Sequence, residues 1–393
     1  MKRILLFAVA GSCFLLSCEK SERGQYPLDS VAPGGVKNVI VENVPGGARL
    51  SYTIPEDEDL LYVKVIYKLD DGRSVEQKAS AYASGIDVVG TGRSAEQEVE
   101  LVCGDRSKNE SQPVTVKIHP LDAPIYGILG TLEIRNDFGG IRLDWKNPTQ
   151  ADAVINVSVP DATNHLVEVD NFYTNTREGK GNIRGFPAQE QSFAVFIRDR
   201  WGNRTDTIIS KNLPLHEERL DKTKFTNWSP PGIPYLQLDN NWTIAKLWNN
   251  SVANPGYSWP LSATLPSSFT FDMGQLAKLS RFKIFQRATD AQLYTGGNVK
   301  QFQLWGSSHP GVSDDFSTWV KLGDFSSFKP SGLPLGQVSA EDMAYAGVAG
   351  EDYNIDLSAP PVRYLRFVIE STWGGSKAMQ IMEVDFFGNI TNP

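Results

Sequence analysis

The stretch Ile381-Met382-Glu383-Val384-Asp385-Phe386-Phe387-Gly388 shows most directly which kind of structure this chain forms. Met382, Val384 and Phe386 alternate with Glu383 and Asp385, so in a strand the apolar side chains share one face and the carboxylates face away from it. A helix, with 3.6 residues per turn, would not separate the two kinds of side chain in this way. The stretch therefore predicts a β-strand with one face on a core.

The same period of two recurs along the chain, in short runs rich in Val, Ile, Tyr and Phe that are bounded by Gly, Pro, Asn and Asp. The run at residues 62–67 is closed by Asp70-Asp71-Gly72, and Asp-Gly after an apolar run is typical of a hairpin turn. No long stretch has apolar residues at helical spacing. The sequence predicts an all-β protein.

Length and charge narrow the choice of function. With 393 residues, and roughly 100–200 residues per domain, the chain has room for two to four domains, and we expect three. The net charge is -8 and no Lys/Arg-rich run follows the first residues, which argues against a nucleic-acid partner and against an electrostatic membrane patch. Cys103 is expected to be a buried core thiol, because it lies in a strand-like run and no partner cysteine is left for it.

The first residues predict export. Lys2 and Arg3 precede an apolar run at residues 4–16 that is too short for a permanent membrane span. Leu15-Leu16-Ser17-Cys18 resembles a lipobox, in which Cys18 becomes the lipidated N-terminus. We expect a signal peptide at 1–17, a tether at 18–32, and an outer-membrane, lipid-anchored protein that faces the cell surface. An ordinary signal peptide cleaved near a cysteine is the alternative.

Two tandem domains are predicted before residue 217. Leu50-Ser51-Tyr52-Thr53-Ile54-Pro55 resembles the B-strand of a fibronectin type III domain, in which an aromatic side chain fills the core and proline ends the strand. Residues 141–148 repeat this plan with Trp145 as the aromatic. We therefore expect fibronectin III/Ig-like β-sandwiches at 33–121 and 122–216, with Trp145 and Trp201 used for packing.

A different kind of domain is predicted at 230–390. The composition changes just before it, since seven of the nine tryptophans lie from Trp228 onward. Its phrases together resemble the discoidin, or coagulation-factor type C, fold, which includes the family 32 carbohydrate-binding modules and is a galactose-binding-like β-jelly roll. The matching phrases are Phe269-Thr270-Phe271-Asp272-Met273-Gly274, residues 279–284, 299–307 and 362–369, and the opening stretch. The whole order resembles Bacteroidetes surface lipoproteins of glycan-uptake loci.

Catalysis finds little support in the sequence. The four histidines are scattered singly, and neither a His-Glu-x-x-His nor a Gly-x-Ser-x-Gly phrase occurs. Neighbouring carboxylates at residues 56–59 and 314–315 leave a hydrolase of unrecognised type as a third alternative. We expect the first of these runs, in the loop after Pro55, to be a solvated acidic turn, and we expect no enzyme.

Sugar binding needs an aromatic face together with a few planar polar side chains in a shallow pocket. The third domain supplies such side chains in its loops. Our candidates are Trp242, Trp248, Tyr257 and Trp259, then Arg287 and Tyr294, and finally Trp373 beside two glycines. We expect Trp305 and Trp319 in the core, and burial is an open alternative for Trp248.

The discoidin resemblance also implies a structural Ca²⁺, held by a loop aspartate and by the glutamate of the final strand. Carried over to this sequence, the ligands would be Asp239 and Glu383. The loop departs from the family pattern at Asn240, where the family has glycine. Calcium therefore stays an open expectation here.

Together these features predict a non-catalytic, surface-anchored lipoprotein that binds polysaccharide through its C-terminal domain. Such a protein would assist an outer-membrane importer. The alternative is a structural or adhesive lipoprotein whose C-terminal domain docks onto a protein partner.

Overall fold

The computed structural model describes residues 29–233 and 235–391. The expected signal peptide, Cys18 and most of the expected tether lie outside these residues. Strands dominate the described chain, so the all-β prediction is confirmed. None of the helices in the described chain is long and apolar enough to span a membrane.

The first sandwich has seven strands in two sheets, ordered β1-β2-β5 and β4-β3-β6-β7. Tyr52 lies in the core between the sheets, and the chain turns away at Pro55 as predicted. Cys103 is also fully buried, and burial raises the pKa of its thiol, so the core-thiol prediction is confirmed. The strands are β1 (Lys37–Val44), β2 (Gly47–Thr53), β3 (Leu60–Lys68), β4 (Ser74–Ser80), β5 (Gly85–Val89), β6 (Gln97–Asp105) and β7 (Val114–Ile118).

The second sandwich repeats the first with every strand number raised by seven. Its sheets run β8-β9-β12 and β11-β10-β13-β14, so the prediction of two modules of one kind is confirmed. Trp145 is buried in the core, and a short helix, α1 (Pro124–Thr131), closes one end. The strands are β8 (Glu133–Asp137), β9 (Gly140–Lys146), β10 (Ala153–Pro160), β11 (Leu166–Thr174), β12 (Glu178–Ile183), β13 (Gln191–Arg198) and β14 (Ile208–Asn212).

The third unit is a larger β-sandwich whose strands run in the order β15-β24-β18-β22-β19-β20, with β16 and β21 also paired to β18. Short helices cover its ends at Lys222–Lys224, Ile244–Trp248, Thr289–Ala291, α2 (Ala340–Asp342) and Met343–Ala349. The strands are β15 (Glu218–Arg219), β16 (Thr226–Asn227), β17 (Tyr257–Ser258), β18 (Ser267–Phe285), β19 (Val299–Ser307), β20 (Val320–Ser326), β21 (Glu351–Asn354), β22 (Val362–Thr372), β23 (Gln380–Ile381) and β24 (Glu383–Ile390).

Strand β18 joins the two layers of this sandwich. Residues 267–272 pair with β22, whereas residues 277–285 pair with β24. The bend falls at Gly274, which has φ +67° and lies so close to the Lys224 carbonyl that a Cβ would be 2.3 Å from its oxygen. The discoidin resemblance implied one strand at residues 269–274 and a next one at 279–284, and one bent strand that contains both is found instead.

The opening stretch packs as predicted on its apolar side. Met382, Val384 and Phe386 are fully buried. Glu383 and Asp385 do face the other way, but they are buried too, beneath the segment at residues 218–224. Alternation identifies the two faces of a strand, but it does not show whether a later or earlier segment covers the second one.

Candidate functional site

Loops at one end of the third sandwich bring several of the candidate residues together. Strand β18 ends there at Phe285, and the next loop carries Arg287. Asn298, fully buried, accepts a hydrogen bond from the Arg287 backbone N–H at 2.8 Å, and its side chain donates to the carbonyls of Arg287 and Gln292. The backbone carbonyl of Asn298 accepts from the backbone N–H of Trp373 at 2.8 Å. Buried Asn298 thus links the loops of Arg287 and Trp373, through its side-chain amide to the first and its backbone to the second.

Trp242 lies against the same loops. The guanidinium carbon of Arg287 is 5.2 Å from the centroid of the Trp242 ring, a cation–π distance. Asp239 shapes this turn, because its Oδ1 accepts hydrogen bonds from the backbone N–H groups of Asn241 and Trp242 at 2.7 and 3.3 Å. We call Trp242, Arg287 and Trp373, which are all partly exposed, the loop face.

Trp373 is held on three sides. Its indole N–H donates to Ser327 Oγ at 2.8 Å, and its ring meets Tyr294 edge to face with centroids 5.1 Å apart. The ammonium of Lys300 lies 4.9 Å from the Trp373 ring centroid. The indole is therefore fixed in orientation and only partly open to solvent, which lowers the entropy lost when a ligand stacks on it.

A buried carboxyl group lies beneath this indole. Ser327 Oγ donates to Glu351, which is 1% exposed, and accepts from Gln286 Nε2 at 3.1 Å. Burial raises the pKa of Glu351 to about 7, although the hydrogen bonds from Ser327 and Gln286 oppose this. The sequence analysis did not identify Glu351. The local sequence offers one signal, a carboxyl group at the start of a short strand, and that signal does not show burial.

Three of the candidate rings, those of Tyr257, Trp259 and Tyr294, have no exposed surface. Trp259 is fully buried and donates from Nε1 to the hydroxyl of Tyr257 at 3.0 Å. Tyr294 is fully buried as well, and its hydroxyl donates to the Phe328 carbonyl at 2.9 Å. This corrects the expectation that Tyr257, Trp259 and Tyr294 lie in open loops: none of these rings offers a face on which a sugar could stack. Tyr294 instead supports Trp373.

Other aromatic residues also lie where pattern alone did not place them. Trp319 is buried as expected, but Trp305 is partly exposed and packs on Phe316 with ring centroids 4.4 Å apart. Trp305 points to the outer face of its sheet because alternation in β19 places Phe302 and Leu304 in the core.

The residues carried over as calcium ligands have other partners. Glu383 is 3% exposed, and its carboxylate pairs with the ammonium of buried Lys222. The same ammonium is 2.7 Å from Asp385 and 3.3 Å from the Val384 carbonyl. The second oxygen of Glu383 accepts from the Ser251 N–H at 3.0 Å. Burial raises the pKa of Glu383 to about 6, and Lys222 opposes this shift.

This arrangement does not fit a calcium ion. Calcium needs about six to eight oxygen ligands, yet the oxygens of Glu383 are bound by an ammonium and an N–H group, and the Oδ1 atom of Asp239 serves its own turn. Within residues 29–233 and 235–391, no group of three or more His, Cys, Asp or Glu side chains is arranged to hold a metal. Lys222 supplies the positive charge at Glu383.

With this geometry, the chain falls into the class of multidomain β-sandwich proteins that carry an aromatic and cationic loop face on a terminal sandwich. Three domains of unknown function match it in succession: DUF4959 at residues 33–120, DUF5126 at 121–223 and DUF5000 at 242–388. No match is found among curated proteins.

Solved structures give the family. A SusE-like protein is 33% identical, with 67% of this chain and 98% of that one covered and a TM-score of 0.44. An identity of this size over nearly all of that protein shows that the chain belongs to the SusE-like proteins.

Two further likenesses concern part of the chain. The C-terminal domain of a chitobiase from Bacteroides fragilis is 18% identical, with 44% and 100% of the two chains covered and a TM-score of 0.32. A GH31 CBM32 module bound to GalNAc is 13% identical, with 41% and 95% covered and a TM-score of 0.27. Neither likeness is strong enough to carry an activity over to this chain.

Proposed function

We propose that this chain is a non-catalytic, lipid-anchored protein of the cell surface that captures glycan for an outer-membrane importer. The observation that carries the proposal is the loop face, in which Trp242, Arg287 and Trp373 are brought together by hydrogen bonds to Asn298 and by a cation–π contact. The Trp373 indole is fixed at its N–H, and the Arg287 guanidinium lies over the Trp242 ring. The loop face therefore combines apolar platforms with planar donors, the two things that sugar recognition needs. Membership of the SusE-like proteins supports the same function.

In this proposal the first two sandwiches are spacers between the anchor at Cys18 and the third sandwich. Contacts at the first junction support a fixed arrangement. Trp201 of the second sandwich packs on the core of the first, and Arg73 donates to the Trp201 carbonyl at 2.6 Å. Asn203 donates to the Gly90 carbonyl at 3.0 Å across the same junction. A junction in which an aromatic ring packs on a core resists bending better than an open linker does.

The second junction is built from charges. Glu217 lies between Arg184 of the second sandwich, at 2.6 Å, and Arg281 of the third, at 3.1 Å. Arg184 also donates to the Asn354 side chain at 2.8 Å. Because all three charged side chains are largely buried, this network stabilises one orientation of the third sandwich more than exposed ion pairs would.

The test uses the chain without residues 1–18 in affinity-gel electrophoresis against plant, host and microbial polysaccharides. We expect retardation by at least one polysaccharide and a loss of about tenfold in affinity for Trp373→Ala, since a ring contact of this kind contributes about 0.5–1.5 kcal/mol beyond burial. Trp305→Ala, which removes another partly exposed indole of the same domain, is the matched control and should bind as the unmodified chain does.

Two outcomes would oppose the proposal. If the Trp373→Ala chain binds as well as the unmodified chain, the loop face is not the glycan-binding site. A folded chain that no polysaccharide retards, but that recovers a stoichiometric protein partner, would favour the structural or adhesive role.

A further inference from the structure

The third sandwich has a second cleft that the proposed function does not use. It encloses about 650 Å³, within the range of small-ligand sites. The residues that matter for its chemistry are Trp228, Gln275, His309, Arg363 and Tyr364.

This cleft lies at the opposite end of the sandwich from the loop face. Tyr364 is near the start of β22, whereas Trp373 directly follows the end of that strand. Nine residues at about 3.3 Å each separate the two positions by roughly 30 Å. The pairing of β22 with β19 agrees, since Tyr364 is opposite Ser307 at one end and Thr372 is opposite Val299 at the other.

Two aromatic rings form one wall of the cleft. The centroids of Trp228 and Tyr364 are 4.9 Å apart with their planes at 59°, and both side chains are partly exposed. Trp228 is supported from behind by buried Trp319, at 6.2 Å between centroids. Its backbone carbonyl accepts from the Thr270 hydroxyl at 2.6 Å. The rings are therefore held in place and not loosely exposed.

The polar groups of the cleft are fixed as well. Arg363 forms two parallel hydrogen bonds to Asp272, both of 2.8 Å. Because this carboxylate balances the guanidinium, the pair adds no net charge to the cleft while it keeps further N–H groups available on a rigid plane.

Gln275 gives an independent sign of a ligand. It is 7% exposed, and its Nε2 donates to the Asp221 carbonyl at 3.3 Å. Within the described residues, its Oε1 atom has no hydrogen-bond donor. A buried acceptor without a donor costs about 1–3 kcal/mol. Because Gln275 lines the cleft, a shift of its side chain toward the opening would let a ligand hydroxyl donate to Oε1.

We propose that this cleft is a second glycan-binding site, which takes an uncharged sugar ring against Trp228 and Tyr364. Gln275 accepts from a sugar hydroxyl, and Arg363 donates to a sugar oxygen. Because Arg363 is already paired with Asp272, Lys224 is the one lysine or arginine among the lining residues left to balance an anion, which favours a neutral sugar over a phosphate or an acidic sugar. Two sites about 30 Å apart on one rigid domain would bind the same polysaccharide bivalently, so avidity would exceed the affinity of either site.

The experiment is residue-specific. The chain without residues 1–18 is labelled with fluorotryptophan, and the ¹⁹F resonances of Trp228, Trp305 and Trp373 are assigned by Trp→Phe substitution. Methyl glycosides of glucose, galactose, mannose and N-acetylglucosamine are then titrated one by one. Trp305 is the matched control, since it is a partly exposed indole of the same sheet that does not line the cleft.

We expect at least one glycoside to shift the Trp228 resonance and to leave that of Trp305 unchanged. Tyr364→Ala should weaken the glycoside affinity measured at Trp228 by about tenfold or more. If Trp373 responds and Trp228 does not, the second site is refuted while the loop face stands. If Trp228 responds and Trp373 does not, the cleft is supported and the loop face fails.

A Trp228 shift that Tyr364→Ala leaves unchanged would also overturn the second site. Gln275→Ala is a smaller change that keeps both rings, and it should likewise weaken the Trp228 response. This variant keeps the test decisive if Tyr364→Ala does not fold.

Discussion

Glu351→Gln should stabilise the third sandwich at alkaline pH and have little effect in acid. The carboxyl group is 1% exposed, and burial raises its pKa from 4.5 to about 7 in the folded protein. In the unfolded chain the group is in water and has its ordinary pKa of 4.5. The folded state therefore holds a proton that the unfolded state releases, and stability falls as pH rises through this window.

The size of the effect follows from the two pKa values. Each pH unit between 4.5 and about 7 lowers the free energy of unfolding by about 1.36 kcal/mol. Above this window the charged carboxylate therefore destabilises the fold by about 3 kcal/mol. Glutamine keeps an acceptor for the Ser327 hydroxyl and cannot ionise. Relative to the unmodified chain, Glu351→Gln should gain about 2–3 kcal/mol between pH 5 and pH 8.

Urea unfolding followed by tryptophan fluorescence measures this gain, because seven of the nine tryptophans lie in or next to the third sandwich. Exposed Glu341→Gln is the control and should show no comparable difference between the two pH values. Equal stability differences for Glu351→Gln at both pH values would refute the reasoning. It would mean that Glu351 does not keep its proton in the folded state.

Three further outcomes are expected. Lys222→Met should cost about 3–5 kcal/mol because it leaves buried Glu383 without its cation. Exposed Lys224→Met should cost little, and urea unfolding compares the two variants. Excess Ca²⁺ over chelator should leave the Tm of the unmodified chain unchanged, and a rise of several degrees would show that calcium does bind. Gly90→Ala should destabilise the chain more than Gly72→Ala does, by about 1–3 kcal/mol. Both glycines have positive φ, but a Cβ at Gly90 would lie 2.6 Å from the Trp201 ring, whereas a Cβ at Gly72 would meet nothing within 4 Å. Equal losses of stability in thermal melts would contradict the packed first junction.

Much of the candidate site could be predicted from loop composition. Trp242, Arg287 and Trp373 are large or charged residues in segments outside the strand pattern, and the structure brings them to one end of the sandwich. Trp259 and Tyr294 have the same local signals yet are buried. The difference arises because distant segments cover them, and a local pattern carries no information about such cover.

The second cleft also could not be predicted from local sequence, because its residues come from distant segments. Trp228 comes from the segment before the first long strand, and Tyr364 lies about 136 residues later. Only the pairing of β16 and β22 with the first half of β18 places them side by side. Neither residue stands out in the sequence, because each is one aromatic among many.

The sequence by itself determined the all-β class and the doubling of the first sandwich, since period-two alternation and strand-ending prolines are local properties of the chain. It also determined which face of residues 381–388 enters the core. Only the tertiary structure decided that Glu383 and Asp385 on the other face are buried against Lys222, and that Glu351 lies beneath Trp373. The physical reason is that burial and charge pairing depend on segments more than a hundred residues away for Lys222, and some twenty to fifty away for Trp373.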